Sequence, residues 1–103
     1  MVTVYITAPP TAAEHIARTL VEERLAACVN RVACDSVYRW EGAIQEDEEV
    51  VLLAKTTDER YDALTERVVD VHPYDVPCLE RFDERDSFEP FAQWRDDVVT
   101  GEE

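Results

Sequence analysis

The sequence is 103 residues long and 46% hydrophobic, which predicts one domain over residues 1–103 with a modest core. Acidic side chains number 24 against 10 basic ones, and the net charge of −14 argues against nucleic acid and anionic membrane surfaces as partners. A surface this acidic is typical of chains that work in very high salt, where ions screen the repulsion between carboxylates.

The first two predicted elements are a strand and a helix. Residues 2–7 are β-branched or aromatic, which predicts a strand that ends before the Pro9-Pro10 pair. Thr11 followed by Glu14 matches a capping box, and the apolar residues that come next recur at helical spacing. Together these signals predict a helix from about residue 12 to about residue 25.

A long hairpin is predicted in the middle of the chain. Residues 28–40 and 43–55 have strand-forming composition, and Glu41-Gly42 between them is a reversal signal. With a two-residue turn and no bulge, Cys28 lies directly opposite Lys55. A single bulge would send these two side chains to opposite faces, so the sequence leaves both registers open.

The rest of the chain predicts a helix, a short strand and a last helix. Thr57 or Asp58 caps the first of these helices, which ends at residue 72 because that residue precedes a proline. A strand over residues 78–82 follows, and the last helix starts at Asp86 or Ser87. Four apolar residues are predicted on one side of that helix: Phe88, Phe91, Trp94 and Val98.

This order of elements predicts an α+β fold, a ferredoxin-like βαββαβ sandwich with a long hairpin between its second and third strands and a C-terminal helix. The second strand is then a sheet edge whose apolar residues invite aggregation unless further copies of the chain cover them. A closed homo-oligomer is therefore expected. Tyr38 and Trp40 share one face of this strand and are predicted interface residues. Three charged residues share the other face and are placed for ion pairs between subunits: Arg31, Asp35 and Arg39.

Four motifs make the chain resemble one protein family. They are RLAACVN at 24–30, the spaced Ser36-x-Tyr38-x-Trp40-x-Gly42-x-Ile44, Lys55-Thr56-Thr57, and HPYDVP at 72–77, and they follow the order found in the CutA family. The resemblance covers nearly the whole chain. It implies a compact ferredoxin-like homotrimer that is associated with divalent-cation tolerance and is similar in structure to the PII signalling proteins. No enzymatic activity is firmly attached to that family.

The chain departs from the family where metal binding is concerned. The family usually reads His-Pro-Tyr-Glu-x-Pro-Glu, whereas this chain has Asp75 and Cys78 at the two carboxylate positions. Some members bind copper, and the resemblance implies copper ligands at positions that match Ile6, Val71 and His72 here. Of these three residues, only His72 can ligate a metal ion through its side chain.

The segment from His72 to Asp75 is the candidate cation site. Proline at the second place of a four-residue turn brings these two residues together, and an imidazole beside a carboxylate can hold Cu2+ or Zn2+. Cys78 adds a soft ligand only if the chain continues to curl, and Pro77 argues for extension. Alternatively, His72 ends the helix and Asp75 closes the turn. Neither interpretation requires a cofactor.

Lys55 and Cys28 are the candidate residues on the hairpin. Lys55 is the one lysine in a chain that otherwise uses arginine, which indicates either an anion contact in a cleft between subunits or a solvated strand end. A neighbouring ammonium would lower the pKa of the Cys28 thiol and make it reactive. The alternative is that Cys28 is an inert core residue.

These observations favour a cytoplasmic homotrimer that binds or signals in divalent-cation tolerance, with a cleft near Lys55, His72, Asp75 and Cys28. The alternative is a copper- or zinc-binding buffer protein that uses His72, Asp75 and the cysteines. An enzyme is disfavoured, since two glycines cannot build a phosphate-binding loop. The three cysteines form no Cys-x-x-Cys pair, and no signal peptide is recognised, so a soluble protein of the reducing cytoplasm is expected.

The acidic composition predicts that stability depends on salt. Lowering the ionic strength lengthens the screening distance, so the 24 carboxylates repel one another more strongly. We expect the thermal midpoint to fall by roughly 5 °C or more between molar potassium chloride and dilute buffer, measured by circular dichroism. A midpoint that is the same in both solutions would contradict this prediction.

Overall fold

The structure, a computed structural model, covers residues 1–103 and contains four strands and three helices. In chain order they are β1 (Val2–Ala8), α1 (Pro10–Glu22), β2 (Cys28–Trp40), β3 (Ala43–Thr56), α2 (Asp58–Val71), β4 (Leu79–Asp83) and α3 (Glu89–Thr100). The predicted α+β class is confirmed. None of the three helices combines the length and the hydropathy that a bilayer-spanning segment requires.

The four strands form one antiparallel sheet in the order β2-β3-β1-β4. Because side chains alternate along a strand, Val2, Val4 and Ile6 of β1 point to one face and are fully buried. α1 and α2 cover this side, which we call the helix face. The opposite side, which we call the open face, carries Thr3, Tyr5 and Thr7 of β1 together with the residues paired with them.

The main core lies between the helix face and the two helices. Its 14 buried residues are Val2, Val4, Ile6, Ala8, Ala13, Ile16, Ala17, Leu20, Leu25, Ala26, Leu52, Ala54, Leu64 and Val68. Burying each of the larger side chains contributes about 1.5–3 kcal/mol relative to exposing it. The core is therefore built from β1, α1, the second half of β3 and α2, which hold the open face in place.

α1 differs from the prediction at its start, and the expected capping box at Thr11 and Glu14 is wrong. The N-cap residue is Pro9, which makes no side-chain capping bond, and the helix begins at Pro10. Proline is tolerated in the first helical turn because the N–H it lacks would have no helical partner there. Thr11 therefore lies inside the helix.

The end of α1 also comes earlier than predicted, at Glu22 rather than near residue 25. Arg24 adopts a positive φ of 57°, which breaks the helical path. The amides of Leu25 and Ala26 then donate to the carbonyl oxygen of Leu20, at 2.9 and 3.1 Å. This reversal satisfies the last helical carbonyl groups and turns the chain toward β2.

α2 follows the prediction closely. Its N-cap is Thr57, without a side-chain capping bond, and it ends at Val71 with His72 as the C-cap. His72 has an extended backbone, φ −77° and ψ 136°, as expected for a residue before proline. The His72 amide still donates to the Val68 carbonyl at 2.8 Å, which fixes the residue at the helix end.

α3 starts at Glu89, so the predicted start at Asp86 or Ser87 is wrong. Pro90 fits the first helical turn, and Phe88 is the N-cap residue. The predicted apolar side of this helix is only partly buried in one chain. Val98 is buried, whereas three aromatic residues are exposed: Phe88, Phe91 and Trp94.

The C-terminal end of α3 is held by two arginines from other elements. Nη1 of Arg24 donates to the Val98 carbonyl at 2.8 Å, and Arg60 donates twice to the Val99 carbonyl, at 3.0 and 2.8 Å. Cations are stabilising at this end of a helix, where free carbonyl groups concentrate negative charge. Val98 and Val99 also form a small second core with Ala27.

The hairpin has the register predicted for a two-residue turn without a bulge. Trp40 pairs with Ala43, and Cys28 pairs with Lys55. Glu41 and Gly42 have φ values of 50° and 81°, the positive pair that a type I′ turn requires. This turn matches the twist of the flanking strands, so the pairing continues without interruption along both strands.

Half of this hairpin projects beyond the rest of the sheet. Ala8, the last residue of β1, pairs with Val50, so residues 43–49 of β3 pair with β2 alone. We call the two-stranded part, residues 34–49, the ribbon. It carries exposed apolar side chains at Val37, Trp40 and Ile44. The ribbon gives the molecule its long dimension in an envelope of 46 × 26 × 21 Å.

A buried ion pair joins α3 to the sheet. Arg95 is only 1% exposed, and its two terminal nitrogens donate to the Glu84 carboxylate at 2.6 and 2.9 Å. Thr3 donates a further bond to that carboxylate at 2.9 Å. The Arg95 guanidinium, followed by Thr3, holds the pKa of Glu84 below its usual value. Arg95 Nε has no hydrogen-bond partner, so the free-energy cost of burying the ion pair is only partly compensated.

We expect Glu84→Gln to lower the free energy of unfolding by about 3 kcal/mol at neutral pH, because it leaves the buried Arg95 charge unpaired. Since folding lowers the Glu84 pKa, its stabilising effect is present above the usual carboxyl pKa and is lost as pH falls through the folded-state value. Denaturant unfolding in constant molar salt should therefore show the two proteins converging in acid.

The control for this prediction is Asp86→Asn, which neutralises an exposed carboxylate nearby and should change the unfolding free energy little. A Glu84→Gln difference that stays constant from neutral to acid pH would contradict the ion-pair account.

Candidate functional site

The main cavity of the chain lies on the open face, between the sheet, the ribbon and the segment that follows α2. Its volume is about 550 Å³, in the range of small-molecule sites. The lining residues are Tyr5, Thr7, Ser36, Val37, Tyr38, Trp40, Glu49, Tyr74, Asp75, Val76 and Cys78. Aromatic rings and acidic groups thus dominate its wall, and no lysine or arginine belongs to it.

His72 shapes the segment that closes this cavity. Its imidazole is buried, at 7% exposure, and Nδ1 accepts a hydrogen bond from the Tyr74 amide at 3.1 Å. Nε2 must then carry the ring proton, and it donates to the Thr7 carbonyl at 2.8 Å. The imidazole therefore ties the turn to β1, with Nδ1 bonded to the turn and Nε2 bonded to the strand. As the ring lies, it offers no lone pair to a metal ion.

The other predicted metal ligands do not complete a site. Asp75 is exposed and lines the cavity, while the Cys78 thiol donates to Glu80 at 3.7 Å. Burial, followed by the Glu80 charge, raises the pKa of Cys78 and keeps it a thiol. No group of three or more His, Cys, Asp or Glu side chains converges in the chain. The residues of one chain therefore do not fit a preformed copper or zinc centre.

Two tyrosines on the cavity wall contact carboxylates of the hairpin. Tyr38 Oη donates to Asp47 at 2.5 Å, and this bond raises the pKa of Tyr38 to about 12. Tyr74 Oη approaches Glu49 at 3.4 Å, a long and weak contact. Burial, followed by the Glu49 charge, raises the pKa of Tyr74. Both phenols therefore stay neutral. The nearby carboxylates make the electrostatic potential in the cavity negative.

Cys28 and Lys55 lie opposite each other on the open face, as the predicted register requires. The surroundings of the thiol favour the inert alternative for Cys28. Burial is the largest influence and raises the pKa of Cys28, and the opposing effect of Lys55 is smaller. Lys55 Nζ instead approaches Thr3 Oγ1 at 3.4 Å, beside the Glu84 carboxylate. Within one chain Lys55 thus contacts a hydroxyl group and forms no ion pair, so both interpretations of this residue stay open.

The four predicted site residues fall into two groups within one chain. His72 and Asp75 adjoin the cavity, at the level of Thr7 and Glu49. Lys55 is six residues beyond Glu49 along β3, a separation of roughly 20 Å in an extended strand. One chain therefore does not form the predicted cleft near all four residues, and only contact between copies could bring the groups together.

The predicted interface residues are on the projecting ribbon. Tyr38 and Trp40 face the cavity, and Trp40 is half-exposed. Arg39 is exposed on the other side of the strand, and neither it nor Arg31 has an ion-pair partner within the chain. Their positions agree with an interface but do not test it.

Sequence reasoning missed Glu49, Tyr5 and Tyr74 as cavity residues. Glu49 stands in the acidic run 46–49, and it is contacted by Tyr74 from a segment 25 residues away in the sequence. A signal was present in the alternation of β3, which puts Glu49 on the same face as Lys55. Tyr5 could have been placed by the same alternation along β1.

Comparisons with known proteins agree on one family. The family model described as "CutA1 divalent ion tolerance protein" matches residues 2–98. The Divalent-cation tolerance protein CutA of Pyrococcus horikoshii is 42% identical over 95 residues, which cover 91% of this chain and 93% of the relative.

Two solved structures show the same fold. The PII-like protein CutA from Nostoc sp. PCC 7120 has a TM-score of 0.93 and 30% identity over 96% of this chain and 97% of that one. The periplasmic divalent cation tolerance protein CutA from Archaeoglobus fulgidus has a TM-score of 0.92 and 36% identity over 96% and 99% of the two chains. The described architecture is therefore that of a known group of proteins.

We expect Cys28 to react slowly with a thiol reagent in the folded protein. In a Cys34→Ser/Cys78→Ser background at neutral pH, its rate should be roughly tenfold or more below that of the same chain unfolded in guanidinium, because burial disfavours the thiolate. Absorbance of the released chromophore measures this rate. A folded-state rate that equals or exceeds the unfolded-state rate would restore the reactive interpretation of Cys28.

Proposed function

The chain belongs to the CutA1 divalent ion tolerance family, and we propose on this basis that it is a homotrimeric binding or signalling protein of divalent-cation tolerance rather than an enzyme. Its relatives carry the names of tolerance proteins and of a PII-like protein. The two thiols with resolved shifts support binding rather than catalysis, since neither is activated: Cys28 and Cys78 both have raised pKa values.

The observation that carries the proposal is the projecting ribbon. Two antiparallel strands without further partners are at best marginally stable in water. Here the two strands also expose Val37, Trp40 and Ile44, which a single chain leaves in contact with solvent. Docking the ribbon against neighbouring copies buries these side chains and removes the bare edge of β2. The proposed assembly thus protects so long a hairpin from aggregation.

A closed ring explains the arrangement of charges on the hairpin. Arg39 and Arg31 have no partner within the chain, and Asp35 lies on the same side of β2. A neighbouring copy supplies the missing counter-ions in the proposed assembly. The exposed Phe91 and Trp94 of α3 add apolar area that further contacts can cover.

The proposed ligand cleft lies between subunits. The strand order β2-β3-β1-β4 supports the ferredoxin-like arrangement. In the proposed trimer the open faces of three such copies turn toward a common axis. The Lys55 and Cys28 end of one open face then approaches the His72 and Asp75 turn of the next copy. This contact unites the two groups that one chain keeps apart.

We also place the protein in the cytoplasm of a cell with high internal salt. The net charge of −14 and the three free cysteines support this proposal. The Archaeoglobus fulgidus relative is described as periplasmic, so the fold itself is not tied to one compartment.

A copper or zinc buffer is the less favoured function. The His72 nitrogens bond to backbone groups, and no three metal-ligating side chains converge. A divalent cation at the proposed assembly would need ligands from more than one copy. Metal tolerance in this proposal therefore comes from binding or signalling rather than from storage of the ion.

The mass of the assembly tests the proposal. In molar salt, light scattering is expected to give three times the 11.8 kDa mass of one chain, without stoichiometric copper or zinc by elemental analysis. Trp40→Glu places a charge in the ribbon interface and should raise the concentration of half-dissociation roughly thirtyfold or more.

The control is Val69→Glu, which puts the same charge at an exposed apolar position on α2, outside the ribbon, and should leave the mass unchanged. A single-chain mass for the unaltered protein, with the ribbon ordered, would overturn the proposal. Stoichiometric metal that is lost in His72→Ala would favour the buffer instead.

A further inference from the structure

The cavity on the open face contains a buried carboxylate without a counter-ion. Glu49 is 6% exposed, forms no ion pair, and has one side-chain hydrogen bond, the 3.4 Å contact from Tyr74. A buried charge is costly unless cations or strong hydrogen bonds compensate it. Glu84 differs, because Arg95 and Thr3 compensate its charge. Glu49 has neither a cation nor a strong hydrogen bond in the chain.

The wall around Glu49 has the chemistry that attracts cations. Four aromatic residues line the cavity: Tyr5, Tyr38, Trp40 and Tyr74. The faces of aromatic rings carry partial negative charge, and Asp75 adds a second carboxylate at the wall. Because no basic side chain belongs to the lining, the cavity repels anions and keeps no cation of its own.

A metal ion fits this wall poorly. Glu49 and Asp75 are its only carboxylates, the Cys78 thiol is held protonated, and no three metal-ligating groups converge. Rings contribute little to a strongly hydrated ion, whereas they bind ammonium groups and especially quaternary ammonium groups well. The volume of about 550 Å³ also exceeds what a bare ion needs and suits a small organic molecule.

We propose that the cavity binds a small organic cation, with an ammonium or quaternary ammonium head placed among the aromatic rings and paired with Glu49. This inference goes beyond the proposed function, because it assigns a ligand class that metal tolerance does not imply. The cation supplies the counter-charge that Glu49 lacks. In the proposed trimer a neighbouring copy closes the mouth of the cavity and shields the pair from the surrounding salt.

Titration with choline chloride tests the inference. We expect saturable binding in molar sodium chloride by calorimetry, with one site per chain. Glu49→Gln keeps the shape of the side chain and removes its charge, so the affinity should fall roughly tenfold or more. Glu48→Gln removes an exposed charge from the adjacent position, which points to the other face, and should leave the affinity unchanged.

Two further measurements sharpen the test. The neutral analogue 3,3-dimethyl-1-butanol, here called dimethylbutanol, has a quaternary carbon in place of the nitrogen of choline. It should bind far more weakly than choline if charge is required. In a Trp94→Phe variant Trp40 is the one remaining indole, and its fluorescence should change on choline binding with the calorimetric midpoint.

Equal affinity for choline and dimethylbutanol, or an unchanged affinity in Glu49→Gln, would overturn the inference. The mass of each variant is measured alongside. An intact trimer that binds no choline, and that dissociates when Glu49 is neutralised, would show that a neighbour's basic side chain occupies the cavity. That result would contradict the proposed ligand but not the proposed assembly. A single-chain mass would contradict the assembly alone.

Discussion

The register of the β2–β3 hairpin is the constraint on which the rest of the structure depends. Because side chains alternate with a period of two, a slip of one residue would exchange the two faces of a strand. Leu52 and Ala54 would leave the core, and Glu49 and Lys55 would enter it. The two-residue turn at Glu41 and Gly42 prevents this slip, since its positive φ values fit one pairing only. The core and the cavity both follow from that pairing.

Arginine is the second organising element, because its planar fork makes contacts in this chain that a lysine could not make. Arg60 uses two nitrogens on one carbonyl group, and Arg95 uses two on one carboxylate. Arg67 contacts Glu23 in the same forked way between α2 and the end of α1. A flexible ammonium cannot make such paired contacts. Lys55 stands apart, since it approaches one hydroxyl oxygen and no carboxylate directly.

Most of the fold could be predicted from the sequence, because strands and helices leave periodic signals. The hairpin, its turn and the end of α2 before Pro73 are confirmed. Helix starts were harder, since Pro10 and Pro90 fit the first turn of a helix as well as a break before it. Local sequence alone does not decide between these uses, and it therefore also fits a capping box at Thr11 and a helix start at Asp86.

The candidate site could be predicted only in part, since burial depends on contacts between distant segments. The facing of Cys28 and Lys55 follows from register, but the raised pKa of the thiol follows from packing that no local motif reports. Likewise, HPYDVP marked a turn, yet the bonds of His72 to Thr7 and Tyr74 became visible only in three dimensions. Glu49 escaped notice because a charge in an acidic run is usually solvated.

The turn at the tip of the ribbon also has a kinetic consequence. Hairpins of this kind close within microseconds, far faster than separate chains meet in solution. In the proposed assembly, the pairing of β2 with β3 is therefore selected inside each chain before a neighbour arrives, so the interface side of the ribbon is already outward. Hairpin closure and association are then successive steps, and only association depends on concentration.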